Sequence, residues 1–258
     1  MKGRITIGFC SMDLEKDKDF IKNMSDTCGL GVDIISKVGY TSISKAYNEI
    51  LSESKNELVV LCHNDIKMHT DGWGPIIKAL FEKYKKYGII GVVGSNGWTG
   101  ESWLGTNGAQ AIGVLRQFQK YDIMKGVRPR WCLFSPLFRV NDIVPATTVD
   151  GLFMAVSKSR IKAPFDENLT GFHFYDVMFA VDNVIKGCYV GITYKLDISH
   201  YSDGIYSKQW YEARDYSRSK YGASVSYGTE LPSGGSPVLY KYKNEEDLQN
   251  YKNMIGYE

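Results

Sequence analysis

Glu57 to Met68 reads ELVVLCHNDIKM, and its five unbroken apolar residues, Leu58 to Cys62, run directly into His63, Asn64 and Asp65. An apolar run of this length, rich in Val and Leu, suits a strand covered on both faces, as in the parallel sheets of α/β domains. Open sheets of that kind bind ligands beyond the carboxyl ends of their strands, which is where Asp65 falls. A polar strand end also arises wherever a chain simply reaches water, so the trio takes its meaning from its surroundings.

Upstream, Arg4 to Cys10 reads as a strand, followed by a helical stretch that places Phe20, Ile21, Met24 and Cys28 on one face, and then a short strand from Val32 to Ser36. In Ser42 to Ser54 the residues Ile43, Ala46, Tyr47, Ile50 and Leu51 recur at helical spacing, with Thr41 or Ser42 available as the cap. Downstream, Ile76, Ile77, Leu80, Phe81 and Tyr84 predict a helix, and IIGVV at 89 to 93 a strand. Strand and helix thus alternate from residue 4 to 93, which implies βαβ units with right-handed crossovers. The fold class is α/β, with a mostly parallel central sheet flanked by helices.

The 258 residues are 43% hydrophobic, enough for one large core, and 31 Lys and Arg against 29 Asp and Glu leave a net charge of only +2. That balance gives no reason to expect a nucleic-acid partner. The five cysteines are scattered and form no CxxC pattern, as expected of reduced thiols in a cytoplasmic protein. No stretch approaches the roughly 20 apolar residues of a membrane span, which leaves peripheral membrane contact as the available kind.

After Val93 the alternation breaks. GSNGWTGESWLGTNG, residues 94 to 108, carries five glycines and two tryptophans. Glycine allows backbone to approach a ligand, and Trp98 or Trp103 could offer a flat face to a sugar ring or tuck inward. TTVDGLFMAVS, 147 to 157, reads as a strand interrupted at Asp150 and Gly151, where a carboxylate beside a bulge could point at a ligand. Phe174, Val177, Met178, Val181 and Ile185 then form a helical stripe ending at Gly187, with Asp176 off the stripe in the first turn. CYVGITY follows as a strand, and the polar, aromatic remainder, residues 205 to 258, is expected to pack on the 1 to 204 domain or on a partner subunit of a homo-oligomer.

AYNEILSESKNELVVLCHNDI (46–66), VDGLFMAVSKSRI (149–161), FDENLTGFHFYDVMFAVDNVIKGCYVGI (165–192) and SHYSDG (199–204), in this order, resemble the bacterial family 2-like glycosyltransferases of GT-A (Rossmann-like) fold. The resemblance spans roughly residues 4 to 204. It implies transfer of a sugar from a nucleotide-sugar donor, a UDP-sugar foremost, to a saccharide or other hydroxyl acceptor. It further implies that Asp65 ends a DXD-type motif and binds a divalent metal, Mn2+ or Mg2+, which bridges the donor diphosphate. His63 stands where the family carries its first acid, so donor ribose and metal are both open as its contact. His200 matches a histidine placed near the metal, and imidazole favours Mn2+. Asp176 matches the catalytic base of inverting members, although Tyr175 precedes it where the family has Glu.

The acidic cluster that many members use for the nucleobase is replaced by SKVGY at 36 to 40, which leaves Ser11 and Asn48 as candidates, with Asp150 and Trp103 as further donor contacts. Without a QxxRW sequence, transfer of one sugar per encounter is expected. Two other classes compete: a non-catalytic nucleotide-sugar or glycan-binding protein of the same fold, and a nucleotidyltransferase, which would carry a glycine-rich basic loop where this chain has GFCSMDLEKDKD.

Overall fold

The computed structural model describes residues 3–98, 100, 111–118, 130–134, 141–202, 206–221, 226–229 and 239–242. Its main sheet has seven strands, in the spatial order Val144–Ala146, Tyr189–Ile192, Tyr87–Gly91, Phe153–Ser157, Leu58–Cys62, Arg4–Ser11 and Gly31–Val38. Arg4–Ser11 pairs in parallel with both Gly31–Val38 and Leu58–Cys62, and Tyr189–Ile192 in parallel with Tyr87–Gly91. Phe153–Ser157 is antiparallel to both its neighbours, and Val144–Ala146 closes the edge antiparallel. Five of the seven strands therefore point the same way, as the βαβ pattern requires.

Helices cover both faces. Lys18–Asp26 and Trp73–Lys83 seal one face, with Phe20, Met24, Trp73, Ile77 and Phe81 against the sheet. Ile43–Glu53 and Tyr175–Ile185 seal the other through Tyr47, Ile50, Met178 and Phe179. The Ser42 hydroxyl accepts the Lys45 amide, a cap worth about 1 kcal/mol. Helix Lys208–Tyr221 lies over this second layer, burying Ala213 and Ser217. Beyond it, Ser226–Thr229 pairs with Gly97–Trp98 and with Leu239–Tyr242, so part of the polar extension is stitched to the main domain.

Two of the expected strands turn out to be corners between sheets. Residues 89 to 93 split: Tyr87–Gly91 stays in the main sheet, whereas Val93–Ser95 enters a second one. Thr148–Val149 and Phe153–Ser157 divide in the same way around Asp150 and Gly151. The corners are tied by the Asp150 amide, which donates to the Val93 carbonyl at 2.9 Å. Gly94 is required there, because a Cβ would stand 2.1 Å from the Thr148 carbonyl oxygen. The second sheet runs Thr148–Val149, Val93–Ser95, Ala111–Phe118, Ile198–Tyr201, Ile66–Met68, with Arg130–Phe134 also on Ala111–Phe118.

Three expectations need correction. Trp98 is fully buried against Val177, Val181 and Tyr221 and offers no face to a ligand, because pairing with the Ser226–Thr229 strand folds it inward. Ile185 is 43% exposed rather than on the inner stripe, since the helix ends there. Phe174 is not helical but is the N-cap, held at φ 61°, the one non-glycine residue with positive φ among those described. Gly187, at φ 82°, does close the helix as the sequence suggests.

Asn48 clamps the loop that follows Arg160. Its side-chain oxygen accepts the Phe165 amide at 2.9 Å, while its nitrogen donates to the Phe165 carbonyl and to Glu167, each at 2.9 Å. Removing it leaves backbone groups of a half-buried loop unpaired, at about 1 to 3 kcal/mol. Asn48→Ala is therefore expected to lower the midpoint of urea unfolding while leaving UDP affinity, measured by calorimetry, unchanged.

Candidate active site

The strands Arg4–Ser11 and Leu58–Cys62 end at a cleft of about 580 Å³. Ser11, His63, Asn64, Asp65, Asp150, Tyr175, Asp176 and His200 all line it. Residues 65 and 200, far apart in sequence, are joined by backbone pairing. Ile66–Met68 and Ile198–Tyr201 run antiparallel with Ile66 opposite His200, and the Tyr201 amide donates to the Asp65 carbonyl at 2.9 Å.

The consequence is a triad of ligand atoms. Asp65 Oδ1 lies 3.7 Å from His63 Nδ1 and 3.4 Å from His200 Nε2, and the two imidazole nitrogens are 3.5 Å apart. Ligand atoms bound about 2 Å from one ion at tetrahedral to octahedral angles stand roughly 3 to 3.5 Å from each other, so this spacing fits a metal. Asp65 Oδ1 is also buried without a hydrogen-bond partner, as an atom kept for a cation would be. His63, placed among the donor contacts by sequence, thus joins Asp65 and His200.

Electrostatics follow from that crowding. Burial pushes the His63 pKa down, and the neighbouring His200 pushes it further. Burial also works against a charged His200, yet Asp65 and Asp150 outweigh it and leave its pKa raised. Burial would raise Asp65, but the two histidines hold its pKa below the ordinary range. Cys10 and Cys62 line the same cleft, and burial lifts the Cys10 thiol to about 12 and Cys62 well up, so both stay protonated.

Tyr175, where the family resemblance predicted Glu, has a structural role. Its hydroxyl lies 2.7 Å from His63 Nε2. If His63 Nε2–H donates to this oxygen, Nδ1 is left bare and aimed at Asp65 and His200, which is the tautomer a metal ligand needs. Gly151 makes room for the ring, since a Cβ there would sit 1.9 Å from the Tyr175 oxygen.

Asp176 follows in the first turn of the helix. One oxygen accepts the Gly151 amide at 2.7 Å and the other the Val177 amide at 2.8 Å. Burial first, and the Asp150 charge second, push its pKa up to about 7 against the pull of those amides. Asp150 itself accepts the Leu152 amide at 2.8 Å. Ser11 lines the cleft, but its hydroxyl donates to Asp17, whose other oxygen accepts from the Asn64 side chain at 2.8 Å. Asp17 is a residue that sequence reasoning missed: it sits at a helix N-cap, which reads as local capping, yet it ties Ser11 to Asn64. Asn48 is not brought to this cleft, and Trp103 lies outside the described residues. No lysine or arginine lines the cleft among the described residues.

Comparison with known proteins supplies the context. The model of a glycosyltransferase-like family matches residues 10–221. The crystal structure of GalNAc-T7 with UDP, GalNAc and Mn2+ aligns at a TM-score of 0.52 and 7% identity, over 85% of this chain and 48% of that one, a likeness of fold. Mannosyltransferase PcManGT from Pyrobaculum calidifontis, in complex with GDP-Man and Mn2+, aligns at 0.49 and 11% identity over 90% of this chain and 66% of that one. A197 from STIV aligns at 0.44 and 13% identity, over 78% and 86% respectively. No curated protein sequence matches the chain.

Mn2+ affinity, measured by calorimetry, is expected to strengthen as the pH rises from about 5.5 to 8, because His200 must shed its proton to bind. Asp65→Ala should abolish binding. Tyr175→Phe should weaken it by about 10- to 100-fold, with a changed His63 tautomer signature in 15N NMR. Wild-type affinity in Tyr175→Phe would remove the tyrosine from this role.

Proposed function

The chain belongs to the glycosyltransferase-like family, and on that premise we propose that it moves a sugar from a nucleoside-diphosphate sugar, a UDP-sugar foremost, to an acceptor hydroxyl with inversion, one sugar per encounter. It is a glycosyltransferase of GT-A fold: the mixed sheet between helix layers aligns with such an enzyme. The observation that carries the finer reading is the convergence of His63, Asp65 and His200 on one point of the cleft that also holds Asp176.

Asp65, His63 and His200 would hold the divalent ion. Two imidazoles with one carboxylate suit Mn2+ better than Mg2+, which prefers oxygen ligands and water. The ion would supply positive charge to the diphosphate as it leaves. That need is acute here, since no lysine or arginine lines the cleft among the described residues. Asn64 is restrained by Asp17, which stiffens the turn carrying Asp65.

Asp176 is proposed as the base. The acceptor oxygen attacks the anomeric carbon, its proton passes to Asp176, and the carbon–oxygen bond to the diphosphate breaks with the electron pair leaving on the diphosphate. A carboxylate whose pKa is pushed to about 7 accepts a proton at neutral pH far better than an ordinary one. The second reading, a binding protein without turnover, draws on the same geometry: both Asp176 oxygens already accept backbone amides, as a purely structural cap would.

Asp176→Asn separates the two. Loss of the base predicts a fall in turnover of about 10²- to 10⁴-fold with donor affinity kept. The asparagine nitrogen also faces an amide donor, so a lower melting temperature accompanies either outcome. In the wild type, kcat/KM should rise with pH through a midpoint near 7, where Asp176 loses its proton, and level off above about pH 8. Near-normal turnover in the variant, or product of retained configuration, would sink the assignment.

A further inference from the structure

One wall of the cleft has no role in the chemistry above. Phe172, Phe174, Tyr206 and Trp210 line it, and Phe172 and Tyr206 are 43% and 66% exposed, high values for rings of this size. Trp210 is its hub. Its ring meets Phe174 at 5.1 Å and Tyr206 at 4.8 Å, both edge to face. The Trp210 amide is held by the Ser207 hydroxyl at 3.2 Å, and the helix Lys208–Tyr221, which carries it in its first turn, is anchored by buried Ala213 and Ser217. The wall is therefore built in advance of any ligand.

We propose that this wall is the acceptor subsite and that its occupant is an uncharged pyranose, lying with a C–H face on Trp210 and Tyr206 and a hydroxyl directed at Asp176. The proposal rests on the reading of Asp176 as base. Wall and base belong to one rigid unit, because Phe174, which packs on Trp210, caps the helix whose second residue is Asp176. Flat amphipathic rings match the apolar face of a sugar, and His173 and Ser202, which line the same cleft, can hydrogen-bond its hydroxyls.

Charge excludes the neighbouring possibilities. Asp65, Asp150 and Asp176 line the cleft, and no lysine or arginine does among the described residues, so a phosphorylated or carboxylated acceptor would meet three carboxylates there with no described cation to offset them. Arg214, which lies 5.8 Å over the Trp210 ring, pairs with Asp215 at 2.9 Å. An anionic lipid headgroup finds no better welcome.

The test is saturation-transfer NMR on the intact chain with Mn2+ and UDP present, using neutral methyl pyranosides and disaccharides of the gluco, galacto, manno and N-acetylglucosamine series as probes. At least one probe is expected to take up saturation at its ring C–H protons. Trp210→Ala should weaken that probe by about tenfold or more, with UDP affinity unchanged. Should Trp210→Ala lower the melting temperature enough to blur the result, Tyr206→Ala, at a ring 66% exposed, gives the same readout without that cost. Absence of binding by every probe, wild-type binding in both variants, or preferential binding of phosphatidylglycerol vesicles would each overturn the proposal. Failure of the wild type to bind UDP would overturn the choice of a UDP-sugar as donor instead, while sugar binding lost in Trp210→Ala would still support the subsite.

Discussion

The hydrogen bond from the Tyr201 amide to the Asp65 carbonyl, 2.9 Å long, is the constraint on which the site depends. It continues the short ladder between Ile66–Met68 and Ile198–Tyr201 and so sets the register that puts His200 beside Asp65. Side chains alternate faces along a strand, so a one-residue slip would turn His200 away and leave Asp65 with His63 alone. A three-residue strand is too short to hold that register unaided. It is held because the second sheet continues through Ala111–Phe118, whose Gln117 also meets His200 Nδ1 at 3.2 Å. That contact leaves Nε2 as the free nitrogen facing Asp65.

The second sheet departs from the main one at two corners, and both corners serve the cleft. At Asp150 and Gly151 the chain leaves Thr148–Val149 for Phe153–Ser157, exposing an amide that Asp176 accepts and a glycine that admits the Tyr175 ring. A straight strand would have spent that amide on its ladder. The irregular backbone is thus what lets the helix start carrying Tyr175 and Asp176 pack against this corner.

Much of this was legible beforehand. The main-sheet strands and the helices up to residue 91, the Ser42 cap and the Gly187 stop follow from apolar spacing and capping chemistry, which are local properties. Asp65 and Asp176 could be placed at a strand end and in a first helical turn by spacing, while the roles expected of them came from the family resemblance. The second sheet was not legible: its strands are short, one of them two residues long, and their pairing partners lie far away in sequence. Sequence left donor ribose and metal both open as the contact of His63, and the contact between Tyr175 and His63 was hidden because the two residues lie far apart in the chain. Trp98 stayed open between a ligand face and an inward tuck because the glycines around it, Gly94, Gly97 and Gly100, signal a loop, whereas its partner strand lies more than a hundred residues away.

Phe174 shows what the arrangement costs and why it persists. A non-glycine residue held at φ 61° stores about 1 to 3 kcal/mol. Its side chain is buried, with the ring against Trp210, so the strain is held by packing rather than by a hydrogen-bonded cap. The left-handed turn starts the helix abruptly, and the first two helical residues, Tyr175 and Asp176, reach the two halves of the cleft. The tyrosine contacts His63, one of three groups that could hold a metal ion, and the aspartate lines the same cleft. An ordinary capped entry, with a Ser or Asp at residue 174, would relieve the strain but lose the ring that joins the helix start to Trp210. The strained residue is thus the point where the helix start carrying Tyr175 and Asp176 is packed onto Trp210, and the position of all three depends on it.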